Sequence, residues 1–232
     1  MSEVVKQSPS QSIVSTPTQE PKAKISYPIL FWLFFIGSIL GFFLEGLWSL
    51  LWDGHWINHS ATVWGPFCII YGLGGVAAYL LSVPLKDQNP LVQFFVFSLS
   101  GTVVEYLGSL FQELCFGSVS WDYSDQPFNL QGRVCLQMAV LWGLLGLAFV
   151  RLLFPWLNRF FAKRTGKGWN IACAVLSVFM AVNLLVTSLA VMRWEERLQG
   201  VARETPAAQW LDENYDNHTM EAIFSNMEFL EN

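Results

Sequence analysis

Five long apolar runs constrain this sequence more than any other feature. The first covers 26 residues, whereas a helix needs only about 20 residues to cross the hydrocarbon core of a bilayer. Backbone groups inside a bilayer must be paired within the protein, which favours helices. The sequence therefore predicts an all-α fold, a polytopic integral membrane helical bundle of about five transmembrane helices, over residues 27–52, 64–83, 91–113, 133–154 and 169–192.

The distribution of charge divides the chain into three parts. Charged residues make up only 13% of the chain, against roughly 25% in an average soluble domain, and most of them lie outside the apolar runs. Residues 1–26 are rich in Ser, Thr, Gln, Pro and Lys, which predicts a disordered N-terminal tail. The transmembrane helical domain then covers 27–192, and 193–232 form a polar C-terminal tail with a short amphipathic helix.

Basic residues predict the orientation in the membrane. Lys and Arg are enriched in cytoplasmic loops, and the strongest cluster here is Arg159, Lys163, Arg164 and Lys167, between the last two apolar runs. With five spans, this cluster places the N-terminus in the cytoplasm and the C-terminus outside. The expected location is the bacterial cytoplasmic membrane, with the lipid bilayer as the main partner and no nucleic acid.

Two carboxylates interrupt the apolar runs. Glu45 follows Gly37 and Gly41 at four-residue spacing, and Glu105 lies between Gly101 and Gly108, so each carboxylate shares a helix face with small residues. Both lie about 10–12 Å below the outer interface at 1.5 Å per residue. Such charges in a membrane usually mark a functional site. The glycine stripes also suggest a homo-oligomer.

Further polar candidates lie in the two outer loops. Arg133 begins the fourth run, after the sequence Trp121, Asp122, Tyr123 and Ser124, and Asn58 lies in the first outer loop. Arg133 either pairs with one of the two carboxylates and only joins helices, or belongs to a site for a substrate or ion. Asp122 is a candidate base or metal ligand, although Asp in a turn usually accepts bonds from backbone amides. Glu113 is expected only to end the third helix.

Other reactive residues predict no cofactor and no metal site. His55 and His59 lie in a loop without a third ligand at a recognisable spacing. Cys115 and Cys135 flank one loop and form a disulfide if the loop faces an oxidising compartment; otherwise they are small buried apolar residues. Asn183 and Thr187 lie one turn apart, as interhelical hydrogen-bonding groups do.

Known sequence motifs and repeats add only exclusions. The sequence contains no phosphate-binding G-x-x-x-x-G-K-[ST] motif. It also contains no G-x-S-x-G or H-E-x-x-H motif of a hydrolase or metalloprotease. No internal repeat is apparent, which argues against a transporter built from inverted repeats.

Several motifs in order carry a resemblance. They are Gly41 to Glu45, Asn58 with Trp64-Gly65-Pro66 and Ile70-Tyr71-Gly72, Glu105, Trp121-Asp122-Tyr123-Ser124, Gly132-Arg133-Val134-Cys135-Leu136 and Trp142-Gly143. Over residues 31–146, and again over 211–227, the chain resembles the bacterial ABC-transporter permease family of the CmpB type. It departs from that pattern at His59, Ser60 and Ala61, where an Arg-Gly pair is usual. The resemblance implies a small multi-pass protein of the cytoplasmic membrane.

These observations lead to one preferred function and two alternatives. The preferred function is a permease-like transport component that works with a separate ATPase subunit, with Glu45, Glu105 and Arg133 in a polar site open to the outer face. The first alternative is a membrane-embedded enzyme, or a protein that binds a lipid or envelope precursor, using a carboxylate as acid or base. The second is a non-catalytic assembly protein.

Overall fold

The computed structural model describes residues 25–164 and 166–230. The tail predicted for 1–26 lies almost wholly outside these residues. A π-helical segment, Phe149–Leu153, joins α4 to α5, and two short antiparallel strands are β1 (Ser118–Val119) and β2 (Glu228–Phe229). The helices are α1 (Tyr27–Trp52), α2 (Ile69–Leu85), α3 (Pro90–Phe116), α4 (Leu136–Ala148), α5 (Phe154–Ala162), α6 (Lys167–Leu198), α7 (Pro206–Asn214) and α8 (Asn217–Ile223).

The long helices confirm the predicted fold class. Within the described residues, α1, α3, the continuous unit Leu136–Ala162 and α6 are long and apolar enough to cross a membrane, and α2 is a shorter apolar helix. Helix α1 packs mainly against α2, and α3 mainly against α4. The two resulting hairpins lie side by side through α2 and α3, and α6 lies beside α1.

The fourth transmembrane helix begins later and ends later than predicted. It starts at Leu136 instead of residue 133, and it continues through Pro155 to Ala162. Proline has no N–H to donate, and the wider π-helical turns lie directly before it. Arg151 in those turns donates to the buried Gln93 of α3 at 2.9 Å. The cytoplasmic loop is therefore shorter than predicted.

The second transmembrane helix is shortened because the chain before it enters the membrane region without helical structure. This inserted loop, residues 57–68, extends so far along α1 that the Cys68 N–H donates to the Ser38 carbonyl at 2.9 Å. Ser38 lies 14 residues before Trp52, about 21 Å along the helix at 1.5 Å per residue. Irregular backbone at such depth is tolerated only where the protein pairs its polar groups.

Helix α6 supplies that pairing. The Trp64 N–H donates to Asn183 Oδ1 at 3.2 Å, and Asn183 Nδ2 donates to the Trp64 carbonyl at 2.7 Å. The Val63 N–H donates to Thr187 Oγ1 at 3.0 Å. Asn183 and Thr187 therefore bind the backbone of the inserted loop, whereas the sequence predicted bonds between helices. The helix predicted from residue 64 begins only at Ile69.

The C-terminal segment folds back over the outer loops. Helix α6 continues to Leu198, and residues 206–230, here called the outer cap, pack against its end. Trp194 of α6 lies in an apolar cluster with Leu211, Met220 and Phe224 of the cap. Strand β2 pairs with β1 in the loop after α3. The predicted short amphipathic helix corresponds to two short helices, α7 and α8.

Asp212 joins the outer cap to α6. Its carboxylate accepts hydrogen bonds from Arg193 at 2.8 and 2.9 Å and from Arg197 at 2.7 Å. These bonds, first the one from Arg193 and then the one from Arg197, hold the pKa of Asp212 below its usual 3.8. A depressed carboxylate pKa stabilises the fold above the unfolded-state value, and that stabilisation is lost as the pH falls through the folded-state value.

We expect the Asp212→Asn variant to be less stable at pH 7 by about 1 kcal/mol after solvent screening. Its unfolding midpoint should also depend less on pH than that of the native chain below about pH 4, because the titrating group is gone. Thermal unfolding in detergent between pH 7 and pH 3 measures both effects. The control is Asp125→Asn, which changes an exposed carboxylate in another outer loop. An equal acid sensitivity of the Asp212→Asn and native chains would contradict the prediction.

Candidate functional site

Glu105 of α3 is buried, with 5% of its surface exposed. Its Oε2 accepts a hydrogen bond from Trp142 Nε1 of α4 at 2.9 Å, and its Oε1 accepts one from the Tyr123 hydroxyl at 3.1 Å. Both donors are neutral. Glu105 is therefore held in position by hydrogen bonds without an ion pair.

Glu45 of α1 is held in the same way from α2. The Tyr71 hydroxyl donates to Glu45 Oε1. The Tyr71 ring can lie against α1 because residue 41 is glycine: a Cβ there would lie 2.3 Å from the Tyr71 Cβ. Gly101 has the same role in α3, where a Cβ would lie 2.5 Å from the Trp142 Cβ. Each glycine lies one helical turn before its glutamate.

The two carboxylates belong to one cluster. The rings of Tyr71 and Trp142, which each bind one glutamate, have their centroids 6.4 Å apart. In the described part of the chain, neither Glu45 nor Glu105 takes part in an ion pair. The structure therefore brings together the two glutamates that the sequence placed at one depth.

Tyr71 and Trp142 were not predicted as site residues, although both appeared among the family motifs. Each lies more than 25 residues from the glutamate it binds. The available signal was the glycine four residues before each glutamate, since it leaves space for a ring against the helix. Those glycines were instead assigned to contacts between chains. Gly37 and Gly41 are covered by α2 of the same chain.

Arg133 does not pair with Glu45 or Glu105. It forms an ion pair with Glu113 at 2.6 Å and donates to Ser109 at 3.2 Å, both on α3. The Tyr106 ring centroid lies 5.8 Å from its guanidinium carbon. Glu113, which was expected only to mark the end of α3, is thus the partner of Arg133. This ion pair connects the loop before α4 to α3.

The Trp-Asp-Tyr-Ser sequence has two different roles. Asp122 Oδ1 accepts bonds from the Ser124 N–H at 2.8 Å and hydroxyl at 2.6 Å, and these bonds lower the pKa of Asp122. Trp121 Nε1 donates to the Arg133 carbonyl at 3.0 Å. Trp121, Asp122 and Ser124 therefore hold the shape of the loop, which agrees with turn chemistry for Asp122.

Tyr123 is the one residue of that sequence that contacts the carboxylate cluster. Burial, and then the nearby Glu105 charge, raises the pKa of Tyr123. Its hydroxyl therefore keeps its proton and remains a donor to Glu105. Tyr123 is half-buried and connects the outer loop to the interior of the bundle.

Asn58 lies apart from the carboxylates. Its side chain donates to the Ala222 carbonyl at 3.0 Å, and its N–H donates to the Ser225 hydroxyl at 3.1 Å. Asn58 therefore fastens the inserted loop to the outer cap. Its predicted place in the polar site is replaced by this contact.

The cysteines and histidines of the outer loops show no shared site. Cys115 is exposed, Cys135 is buried, and both are free thiols, so the predicted disulfide between them is not formed. The rings of His55 and His59 contact the carbonyls of Asp53 and Ile57. No group of three potential metal ligands occurs among the described residues.

A cavity of about 460 Å³ lies between the two hairpins. Its walls come from α1, α2, α3, α4 and the π-helical segment, and they are mostly small or apolar residues. Tyr71, Trp142 and Glu105 are the polar residues at one end. Leu40, Leu44 and Leu152 in the lining are also exposed on the outside of the bundle. The cavity can hold an apolar body next to a carboxylate.

The fold and the cluster together define a multi-pass helical membrane protein with ionisable side chains buried between its spans. Comparison with protein families makes this class specific. The family described as "Putative ABC-transporter type IV" matches residues 32–188, and the chain belongs to that family. No solved structure matches the chain.

Proposed function

We propose that this protein is the membrane-spanning component of a transporter and that the cavity between the hairpins is its substrate site. Membership in a transporter family supports the transport role. The main support from the site is Glu105, a buried carboxylate in the wall of the cavity whose partners are all neutral. A charge buried in a membrane without a counter-ion usually serves a substrate, an ion or a proton.

The lining of the cavity indicates the chemistry of the substrate. Most of the wall is apolar, so it suits an apolar body. The carboxylates of Glu105 and Glu45 suit a cationic or hydrogen-bond-donating group. The proposed substrate is therefore an amphipathic molecule, bound with its polar group toward the outer half of the membrane, where the site opens.

A separate ATPase is the proposed partner. The chain contains no phosphate-binding motif, so the energy for transport would come from another subunit. The basic residues near the loop between α5 and α6 place that side in the cytoplasm, where an ATPase would bind. In this orientation the N-terminus is cytoplasmic and the outer cap is external.

Affinity purification of the full chain at native expression level, in mild detergent, tests this proposal. We expect an ATPase subunit at a constant ratio to the chain, together with an amphipathic small molecule, both identified by mass spectrometry. The control is an unrelated multi-pass protein with the same tag and the same expression level. An amphipathic ligand without an ATPase would instead favour an enzyme or a lipid-binding protein, and neither partner nor ligand would favour an assembly role.

A further inference from the structure

The first helices of the two hairpins share a sequence pattern. The pattern S-x-x-G-x-x-x-E-x-L-x-S-L begins at Ser38 in α1 and again at Ser98 in α3. Both carboxylates of the cluster, Glu45 and Glu105, occupy the same position in it. The separation is 60 residues throughout, without a gap.

The second helices share another pattern. Helix α2 contains Tyr71-Gly72-Leu73, and α4 contains Trp142-Gly143-Leu144, each with a further glycine two residues later. A proline follows the aromatic residue after 13 positions in both copies, at Pro84 and Pro155. An aromatic residue, two glycines and a proline therefore recur at one constant separation of 71 residues.

Contacts within the hairpins repeat together with the residues. Gly72 lies against Phe34 in the first hairpin, and Gly143 lies against Phe94 in the second. Phe34 and Phe94 are again separated by 60 residues.

A backbone group three residues before each aromatic residue also binds the serine that opens the pattern. The Cys68 N–H donates to the Ser38 carbonyl at 2.9 Å. The Ser98 hydroxyl donates to the Ala139 carbonyl at 2.7 Å. The same positions therefore meet in both hairpins, although the groups that bond are different.

The cavity follows the same register. The lining positions of α1 are 37, 40, 41 and 44, and adding 60 to each gives a lining position of α3. Lining positions 71, 74, 75, 77, 78 and 81 of α2 each give, on adding 71, a lining position of α4 or the π-helical segment. Equivalent faces of the two hairpins therefore enclose the cavity.

From this agreement we infer that the two hairpins are duplicated copies of one unit and that the cavity is a single binding site on the axis between them. Both first helices start on the same side of the bundle, so the repeats are parallel, as in transporters whose halves are related by an axis along the membrane normal. Resting on the proposed function, the inference adds that one amphipathic molecule is contacted by both copies at once. The earlier statement that the sequence has no internal repeat is corrected.

Cysteines at equivalent lining positions test the shared site. Ala77 and Ala148 are both alanine, both line the cavity and are related by the repeat. In a full chain carrying Cys115→Ser, we expect Ala77→Cys and Ala148→Cys each to take one pyrene maleimide. The double variant should also take one, because the first bulky adduct fills the cavity. Intact-mass spectrometry in detergent counts the adducts, and the Cys115→Ser chain gives the background of the buried native cysteines.

Leu73 and Leu144 give the matched control. They are also equivalent by the repeat, but both are exposed and neither lines the cavity, so the Leu73→Cys, Leu144→Cys chain should take two adducts. Two adducts on the Ala77→Cys, Ala148→Cys chain, or one single variant that does not react, would overturn the inference.

A second cavity pair protects the test against misfolding. If the first pair elutes as an aggregate, Gly74→Cys with Leu145→Cys serves instead, with the same expected counts. Gly74 has open space where a Cβ would lie. The adduct count needs no ATPase and no transport, so failure of the transport proposal would leave it unchanged.

Discussion

Replacing Asn183 with leucine should destabilise the protein by about 2–6 kcal/mol, because two backbone groups of Trp64 lose their partner where no water can replace it. Asn183 is fully buried and binds both the N–H and the carbonyl of Trp64. Leucine is close to asparagine in volume, so the loss of hydrogen bonds is isolated from the loss of packing. The expected effect is a large part of the typical stability of a folded domain, about 5–15 kcal/mol.

Two measurements follow the Asn183→Leu effect. The unfolding midpoint in detergent reports the total loss of stability. The reaction rate of Cys68 with a maleimide reports the position of the inserted loop, since Cys68 ends that loop and is buried against α1. We expect the midpoint to fall and Cys68 to react faster.

Ser188→Leu is the matched control for Asn183→Leu. Ser188 lies on the same helix, and its hydroxyl donates only to the Leu184 carbonyl of that helix. This variant should leave both the midpoint and the Cys68 rate near their native values. A native midpoint together with an unreactive Cys68 in Asn183→Leu would show that the inserted loop is held by other contacts.

The helices could be predicted because length and composition are local properties. A run such as 27–52 predicts its own helix, and the structure places that helix between the same residues. The common depth of Glu45 and Glu105 needed only a count of residues from the helix ends. The start of α2 could not be obtained in this way, since the apolar residues of the inserted loop resemble the beginning of a helix. Asn183, which holds that loop, lies 119 residues away from Trp64.

Partners of the charged residues were the least predictable part of the site. Arg133 lies 20 residues from Glu113, and the turns of the intervening loop decide that these two residues meet. The sequence offered three carboxylates near the outer side and no way to rank them. Because Arg133 is occupied by Glu113, Glu45 and Glu105 are left with neutral donors only.

The duplication was missed for a physical reason. Lipid-facing positions accept almost any apolar residue, so most of the repeat has changed without effect on the fold. Identity is kept mainly where rings and backbones approach closely, as at Gly41 and Gly101, or where a charge is held, as at Glu45 and Glu105. These positions become comparable only when the structure shows that they make the same contacts.

Glu105→Gln should weaken the binding of the amphipathic ligand about 10- to 100-fold with little change in stability. A contact to a charged group contributes about 1.5–3 kcal/mol, which corresponds to that range of affinity. Glutamine keeps the size of the side chain. Its carbonyl can accept from Trp142, and its amide can donate to the Tyr123 oxygen, so the local hydrogen bonds are replaced while the charge is removed.

Two further variants separate charge from packing at this position. Glu105→Ala leaves the Trp142 N–H and the Tyr123 hydroxyl without their acceptor, so it should lower the unfolding midpoint as well as ligand binding. Glu113→Gln, which weakens the ion pair with Arg133, should lower the midpoint but leave ligand binding intact. Ligand retained per chain, measured by mass spectrometry, and the unfolding midpoint together distinguish the three. If Glu105→Gln retains as much ligand as the native chain, Glu105 serves packing alone, and the polar group of the substrate must be bound elsewhere.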